Sequence, residues 1–314
     1  MKDYVVGIDL GGTRVKIGLI AHGKVIAKVV APAQSAKGLA ASLPFIAQHV
    51  NQLLHSNGIA HTALQGIALG FPGLVDPYLQ TILSTNAKYD DARAINLEDW
   101  VEKEWNVPLF IDNDARMAAV GEWKYGAGKD TDNLVAMTIG TGIGTAAIIE
   151  GKLLRGKHFQ AGCLGGHFSV QYNGRPCTCG NKGCMEAYAA TWSLKERIMA
   201  DAAYYNSNMQ HAEVIDFETL FSAADKGDAL ALRMQQDCLA VWSAGIVNLI
   251  HAYDPEVVVI GGGVMNSQEK VLPYLKENVH KHAWCPWGNV EIRPTQLLSD
   301  AGILGAAYCL QQQA

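Results

Sequence analysis

An internal repeat of strands and glycine-rich turns restricts the folds open to this chain more than any other feature of its sequence. The first copy, residues 4–30, has the order strand, Gly/Thr turn, strand, Gly-Lys turn, strand. The second copy, residues 134–152, repeats that order. Two β-hairpins can share turn residues by chance, but both copies match in the Gly and Thr content of their first turns. The repeat therefore favours two related half-domains.

The segments around the repeat alternate between buried strands and amphipathic helices. Further strands are predicted at residues 66–70, 109–111 and 256–260, and helices at residues 39–53, 115–125, 228–251 and 300–310. Pro44 is expected in the first turn of its helix, and Ser299 or Asp300 is expected to cap the last helix. This alternation predicts an α/β fold whose ligand binds at the ends of the strands.

Length and charge exclude several classes of protein. A chain of 314 residues corresponds to about two domains. The net charge of -5 gives no electrostatic reason to bind nucleic acid or an anionic membrane. The first ten residues lack the apolar core of a signal peptide, and no apolar run approaches the ~20 residues of a membrane span. We therefore expect a cytoplasmic protein with no nucleic-acid or membrane partner.

Glycine-rich segments follow three of the predicted strands and are typical of a phosphate-binding surface. In the first, Asp9-Leu-Gly-Gly-Thr13, backbone N–H groups can approach phosphate oxygens and Asp9 can hold a cation. Alone the motif is weak, since Asp followed by two glycines is ordinary turn chemistry. Together with residues 138–145 and Gly261-Gly-Gly263, it predicts that three strand ends surround one nucleotide.

Two carboxylates are candidates for chemistry at these strand ends. Asp114 lies in Ile111-Asp-Asn-Asp114, where a strand meets a helix, so it is either a helix N-cap or a general base. Phosphoryl transfer to a hydroxyl group needs such a base, and Asp is the usual choice. Glu186 is either a surface residue or a carboxylate that the preceding cysteine-rich loop directs into the cleft.

One histidine and three cysteines have the residue types of a closed tetrahedral zinc site: His167, Cys177, Cys179 and Cys184. Gly180 and Gly183 permit the tight turn that brings three sulfur atoms to one ion. The alternative, buried free cysteines, fits poorly because this stretch is polar and has no apolar periodicity. Cys163 is a reserve ligand if the histidine does not bind.

The motifs together resemble the ROK family, which comprises repressors, open reading frames and sugar kinases. The resemblance spans nearly the whole chain, and its most specific element is Cys-x-Cys-Gly-x-x-Gly-Cys-x-Glu. It is carried by Asp9-Leu-Gly-Gly-Thr13, Gly70-Phe-Pro-Gly73, Asn113-Asp114, Thr141-Gly-Ile-Gly144, Gly166-His167, Cys177 to Glu186 and Gly261-Gly-Gly263.

This resemblance implies an actin-like ATPase (ribonuclease H-like) fold with two related domains around a cleft. The first domain would be residues 1–116 together with the C-terminal helix 301–314. The second would be residues 117–300, with the zinc loop at 163–186. Relatives of this kind are commonly homodimers, so a homodimer is expected here too.

The resemblance also implies an ATP- and Mg²⁺-dependent kinase that phosphorylates a hexose or hexose derivative at its 6-hydroxyl, with structural Zn²⁺. Asp114 would be the catalytic base. Sugar contacts are implied for Asn86, Asn113, Asp114, His167 and Glu186. Nucleotide and metal contacts are implied for Asp9, Gly11, Gly12, Thr13, Thr141 and Gly142 around the phosphates and for Gly262 and Gly263 at the adenosine.

Two departures from the family pattern concern the sugar. Family kinases carry a glutamate three residues before the histidine, where this chain has Leu164. Loss of a charge-assisted hydrogen bond costs ~1.5–3 kcal/mol, so a preference for glucose is not assumed. Asn86-Ala-Lys-Tyr89 also stands where many relatives have Asn-Leu-Pro, so Lys88 or Tyr89 is expected to reach a different sugar substituent.

Two other functions compete with the kinase. A non-catalytic sugar sensor is one, although a repressor with a DNA-binding region before the first motif is not expected, because the first strand is predicted to begin near Tyr4. A zinc-stabilised ATPase without a sugar substrate is the other. It fits less well, since Asn113, Asp114 and Glu186 together suit a polyol.

Overall fold

The structure, a computed structural model, describes residues 3–85 and 88–313. The strands are β1 (Tyr4–Leu10), β2 (Arg14–Ala21), β3 (Lys24–Pro32), β4 (Leu64–Phe71), β5 (Gly73–Asp76), β6 (Thr81–Thr85), β7 (Leu109–Asn113), β8 (Leu134–Ile139), β9 (Ile143–Ile149), β10 (Lys152–Leu153), β11 (Val257–Gly261) and β12 (Glu291–Pro294). The helices are α1 (Leu39–Ser56), α2 (Leu97–Trp105), α3 (Asp114–Tyr125), α4 (Glu186–Ala189), α5 (Thr191–Met199), α6 (Phe217–Asp225), α7 (Ala229–Tyr253), α8 (Gln268–His282) and α9 (Ala301–Gln311).

The chain divides into two compact units, which it enters and leaves several times. Unit 1 consists of Met1–Asp130, Leu153–Cys163 and Gln296–Ala314, and unit 2 of Thr131–Lys152 and Leu164–Thr295. The predicted domain boundary after residue 116 falls inside α3, whereas the first division between the units follows Asp130. The helix α3 stays whole in unit 1 because it packs along α9.

Unit 1 is built on a five-stranded mixed sheet in the order β3-β2-β1-β4-β7. The pairs β1/β2 and β2/β3 are antiparallel, whereas β4 is parallel to both β1 and β7. The two predicted hairpins of the first repeat copy are therefore confirmed. One face of the sheet packs against α1 and α2 through aliphatic side chains such as Ile46 and Val101, which are fully buried. Burial of this kind is the main stabilising contribution of the core.

The other face of this sheet is covered by α3 and α9, and glycines allow their backbones to come unusually close. A Cβ atom at Gly121 of α3 would lie 2.1 Å from the carbonyl oxygen of Ala301 in α9. A Cβ atom at Gly305 of α9 would lie 1.8 Å from the carbonyl oxygen of Met117 in α3. The glycines therefore fix the separation of these two helices, and with it the position of α3 on the sheet.

Unit 2 repeats this plan with a five-stranded mixed sheet in the order β10-β9-β8-β11-β12. β8 and β9 are antiparallel, whereas β11 is parallel to both β8 and β12. Strand for strand, this order matches that of unit 1. The two related halves predicted from the repeat are confirmed, as is the α/β class.

Two details of the helices differ from the prediction. Pro44 lies in the second turn of α1, not the first, because the helix already begins at Leu39. No side chain caps α9: the carboxylate of Asp300 accepts hydrogen bonds from Lys28 and Ser299 instead. In the part of the chain that the structure describes, no helix combines the length and apolar character required to cross a membrane.

Candidate active site

Hydrogen bonds to two of its carbonyl groups hold the turn Gly11-Gly12-Thr13 between β1 and β2 in place. The hydroxyl of Ser35 donates to the Gly12 carbonyl over 2.7 Å, and the hydroxyl of Tyr89 lies 3.3 Å from the Gly11 carbonyl. Burial, together with the charge of Asp9, raises the pKa of Tyr89 to about 12, so the phenol stays protonated as a donor. The turn therefore has a fixed shape, which suits backbone N–H groups that meet an anion.

Asp9 lies near the end of β1, next to this turn. Its Oδ2 atom accepts a hydrogen bond from the Lys16 ammonium across the β1/β2 pair, at 2.7 Å. A Cβ atom at Gly302 in the first turn of α9 would lie 3.1 Å from the Asp9 Cγ atom. Because residue 302 has no side chain, the carboxylate can stand against the beginning of α9.

Asn113, not Asp114, caps α3. The Asn113 Oδ1 atom accepts a hydrogen bond from the Arg116 amide at 3.1 Å, and its Nδ2 atom donates to Asp114 Oδ1 at 3.1 Å. Asp114 Oδ1 also accepts from the Ala115 amide at 2.8 Å. Within residues 3–85 and 88–313, no donor bonds to Asp114 Oδ2. Of the two interpretations of Asp114, the cap is therefore wrong.

The surroundings of Asp114 raise its carboxyl pKa to about 7. Burial is the largest cause and the negative charge of Asp9 the second, while the ammonium groups of Lys88 and Lys16 act in the opposite direction. A carboxyl group that titrates near neutrality is matched to accepting a proton from a hydroxyl. The site thus combines a fixed glycine turn with a tuned base in one unit.

A buried ion-pair network that the sequence did not predict holds the strand before Asp114. The Asp112 carboxylate is completely buried and pairs with Arg116 at 3.3 Å and with Arg155 at 2.9 Å. Arg116 also donates to the carbonyls of Phe159 and Ala161, at 2.9 and 3.0 Å. The network joins the end of β7 to the segment Leu153–Cys163, and only its tertiary pairing reveals it.

In unit 2, the carboxylate of Glu186 lies beneath the turn between β8 and β9. Its Oε2 atom accepts a hydrogen bond from the Ile143 amide at 2.7 Å, and its Oε1 atom lies 3.4 Å from Nε1 of Trp192. A Cβ atom at Gly142 would lie 2.7 Å from Oε2. Glu186 is 6% exposed, so the surface alternative is wrong.

The end of β11 reaches the same turn in unit 2. Gly262 has a left-handed backbone with φ of 88°, and a Cβ atom there would lie 2.2 Å from the Ile139 carbonyl oxygen at the end of β8. In contrast, Cβ atoms at Gly140 and Gly263 would meet no heavy atom within 4 Å. Open space in front of two glycines at adjacent strand ends can admit a nucleotide.

The four predicted zinc ligands come together in unit 2. The ligand atoms of His167, Cys177, Cys179 and Cys184 all lie within 4.8 Å of one another, and the Cys177 Sγ atom is 3.5 Å from His167 Nδ1. Gly180 and Gly183 have the left-handed backbone that the turn requires, with φ of 89° and 77°. The donor set and its spacing fit a tetrahedral zinc ion.

The remaining predicted residues are placed as follows. Asn86 lies outside the described residues. Cys163 is not in the cluster, since its thiol lies 3.4 Å from the Gln160 carbonyl as a hydrogen-bond donor. Leu164 is partly buried and precedes a short 3₁₀ turn whose Gly165 amide donates to Thr145 Oγ1 at 2.8 Å. The hydrogen bond of the Gly165 amide thus anchors the turn that follows Leu164, the position at which the family pattern has a glutamate.

Comparison with known proteins identifies the family. The sequence matches the ROK family over residues 5–313. The chain belongs to the ROK family.

Relatives within the ROK family differ in function. The chain is 32% identical to a glucokinase of Halalkalibacterium halodurans, over 99% of this chain and 96% of that protein. It also resembles the structure of a ROK glucokinase from Streptomyces griseus in complex with glucose and AMPPNP, with a TM-score of 0.82, 28% identity and coverage of 98% and 99%. A xylose repressor of Bacillus subtilis is 30% identical over 77% of this chain and 60% of the repressor.

Proposed function

We propose that this ROK protein is an ATP-dependent kinase with the actin-like ATPase fold, which phosphorylates a hexose or hexose derivative at its 6-hydroxyl. One observation carries the proposal: Asp114, with a carboxyl pKa of about 7, begins α3 in the unit that also holds the fixed glycine turn after Asp9. Similarity to glucokinases over nearly the whole chain supports it. The choice of the 6-hydroxyl rests on the family resemblance.

In this mechanism, Asp114 Oδ2 accepts the proton of the attacking hydroxyl group. The hydroxyl oxygen forms a bond to the γ-phosphorus of ATP while the bond from that phosphorus to the β–γ bridging oxygen breaks. Asp114 Oδ1 is already occupied by donors from Asn113 and Ala115. These bonds hold the carboxylate so that its second oxygen faces the substrate.

The glycine turns would bind the nucleotide. The phosphates would contact Gly11, Gly12 and Thr13 of unit 1 and Thr141 and Gly142 of unit 2. The adenosine would contact Gly262 and Gly263. The open positions at Gly140 and Gly263 agree with this assignment. Asp9 would hold Mg²⁺ or its water, and the ion, when bound, neutralises charge on the phosphates.

Sugar contacts are proposed for Asn86, Asn113, His167 and Glu186. Glu186 already accepts one backbone hydrogen bond, from Ile143, which fixes the orientation of its carboxylate. A carboxylate accepts hydrogen bonds from the hydroxyl groups of a polyol, and an amide side chain both accepts them and donates to those groups. Leu164 cannot form such a hydrogen bond. Either the substrate is a sugar other than glucose that needs no hydrogen bond at this position, or the protein binds glucose less tightly than family kinases that have the glutamate.

We also propose that His167 and the three clustered cysteines hold a structural zinc ion. All four positions of a tetrahedral ion are supplied by protein side chains, which is typical of a structural site. The ion would fix the loop that leads directly into Glu186. Its chemistry is confined to binding thiolates and imidazole.

A single substitution tests the catalytic role. Asp114→Asn keeps the size of the side chain but removes the base, and we expect the turnover number to fall at least ~100-fold, since general-base catalysis contributes ~10²–10⁴-fold. ADP release would be measured with glucose, fructose, mannose and amino sugars, against a blank without sugar. The exposed Asp99→Asn in α2 is the matched control and should leave turnover unchanged.

The same measurements distinguish the alternatives. Sugar binding without sugar-stimulated ADP release, in the wild-type protein, would favour a sensor, as the similarity to a xylose repressor allows. ADP release that no sugar increases would favour an ATPase. Near-normal turnover of Asp114→Asn would contradict the proposed base. The expected homodimer is measured separately by light scattering.

A further inference from the structure

The side chain of Lys88 lies directly against the phosphate-binding turn of unit 1. A Cβ atom at Gly12 would be 2.6 Å from Lys88 Cε and 3.1 Å from Lys88 Nζ. Glycine at residue 12 therefore leaves the space that the lysine occupies. The Lys88 ammonium group thus lies beside Gly12.

The chain that follows Lys88 is constrained by several contacts. Tyr89 has a left-handed backbone with φ of 54°, a conformation that is strained for a bulky residue. The Tyr89 side chain is fully buried, and its backbone amide donates to the Ser35 carbonyl at 3.0 Å. Two residues further on, the Asp91 carboxylate accepts the amide of Ala40 at 2.9 Å at the start of α1. These contacts anchor the chain that follows Lys88.

Lys88 has no counter-ion in the part of the chain that the structure describes, unlike its neighbour Lys16, which pairs with Asp9 at 2.7 Å. The positive charge of Lys88 nevertheless acts on Asp114, whose ionised form it stabilises. An unpaired, half-buried cation that lies against a glycine turn has the charge to bind an anion.

We propose that Lys88 binds the terminal phosphoryl group of ATP during its transfer. This inference rests on the proposed kinase function and replaces the expectation that Lys88 reaches a sugar substituent. As the bond to the acceptor oxygen forms and the bond to the bridging oxygen breaks, the acceptor proton passes to Asp114, and Lys88 keeps all its protons. Its charge compensates the negative charge of the transferring phosphoryl oxygens.

Nucleotide binding without sugar tests the contact independently of activity. Calorimetric titration with AMPPNP and with ADP, each with Mg²⁺, would compare wild type, Lys88→Met, Lys88→Arg and the exposed control Lys24→Met at the start of β3. For Lys88→Met we expect AMPPNP to bind at least ~10-fold more weakly and ADP to bind within ~2-fold of wild type, since only AMPPNP has the third phosphate group. Lys88→Arg should recover part of the AMPPNP affinity, and Lys24→Met should match wild type.

The other outcomes contradict either the Lys88 contact or the kinase function on which it rests. Equal AMPPNP affinity of Lys88→Met and wild type, or wild-type affinity that does not distinguish AMPPNP from ADP, would overturn it. A change in the KM of the sugar alone would place Lys88 at the sugar instead. Wild type that binds AMPPNP more tightly than ADP but turns over no sugar would refute the kinase function and leave the Lys88 contact standing. Thermal melts of each variant show whether the fold is intact, and Lys88→Gln, which also removes the charge, is titrated instead if Lys88→Met does not fold.

Discussion

Asn113 and Asp114 could each cap α3 by residue type, and the sequence left Asp114 as either that cap or the general base. Both residue types are good N-caps, so local preference does not choose between them. The choice depends on where β7 ends, and that is set by its pairing with β4, in which Phe71 lies opposite Asn113. With Asn113 as the cap, Asp114 is the first residue of α3, and its second oxygen is available for chemistry.

The raised pKa of Asp114 predicts the pH dependence of activity. The base works only when ionised, and with a carboxyl pKa of about 7 the ionised fraction falls as the pH drops below 7. We expect kcat/KM for the preferred sugar to decrease about tenfold per pH unit below that point, because this ratio reports the free enzyme. Steady-state rates between pH 5 and pH 9 provide the measurement.

Lys88 supplies the control for this profile. Its charge lowers the pKa of Asp114, so Lys88→Met should move the acid limb to higher pH, whereas Lys24→Met should leave it in place. An acid limb near pH 4, the ordinary range of an aspartate, would contradict the assigned environment of Asp114.

At the scale of elements, one buried carboxylate connects β7, α3 and the segment Leu153–Cys163. Asp112 is flanked by Arg116, four residues later in the chain, and by Arg155, which is 43 residues later. Side chains that meet only after folding leave no local signal, and for this reason the sequence predicted the strand and the helix but not the network. The same holds for Gly121 and Gly305, whose need for close helix packing is visible only in three dimensions.

Removing the charge of Asp112 should destabilise the protein strongly. Asp112→Asn would leave Arg116, which is fully buried, without its counter-ion. Breaking a buried pair in this way costs ~3–5 kcal/mol. Urea denaturation followed by fluorescence would show the shift of the midpoint, and the shift for Asp99→Asn, at an exposed position in the first turn of α2, should be much smaller. A midpoint equal to that of wild type would mean that the network contributes no net stability.

The cysteine cluster predicts a stoichiometric metal. We expect one zinc ion per chain by elemental analysis, and a lower melting temperature after chelation that added Zn²⁺ restores, because structural zinc contributes folding energy. Cys184→Ser should lose the ion, whereas Cys285→Ser, outside the cluster, should keep it. Protein without zinc whose melting temperature is insensitive to chelators would contradict the proposed metal site.

At the scale of the whole molecule, the two sheets have the same strand order, and this much of the fold was predictable. The signal lay in turn residues that are local in sequence, such as Gly11-Gly12 and Gly140–Gly144. The domain boundary and the position of Lys88 against Gly12 were not predictable. Each depends on contacts between segments far apart in the chain, which spacing within one motif does not encode.

The discontinuity of both units has a consequence for how this protein can be altered. Unit 1 is assembled from three stretches of chain and unit 2 from two, so the chain passes from one unit to the other four times. No single cut in the gene separates the units, and neither can be exchanged with a relative as one continuous cassette. Shuffling of contiguous gene segments therefore cannot recombine the two units independently.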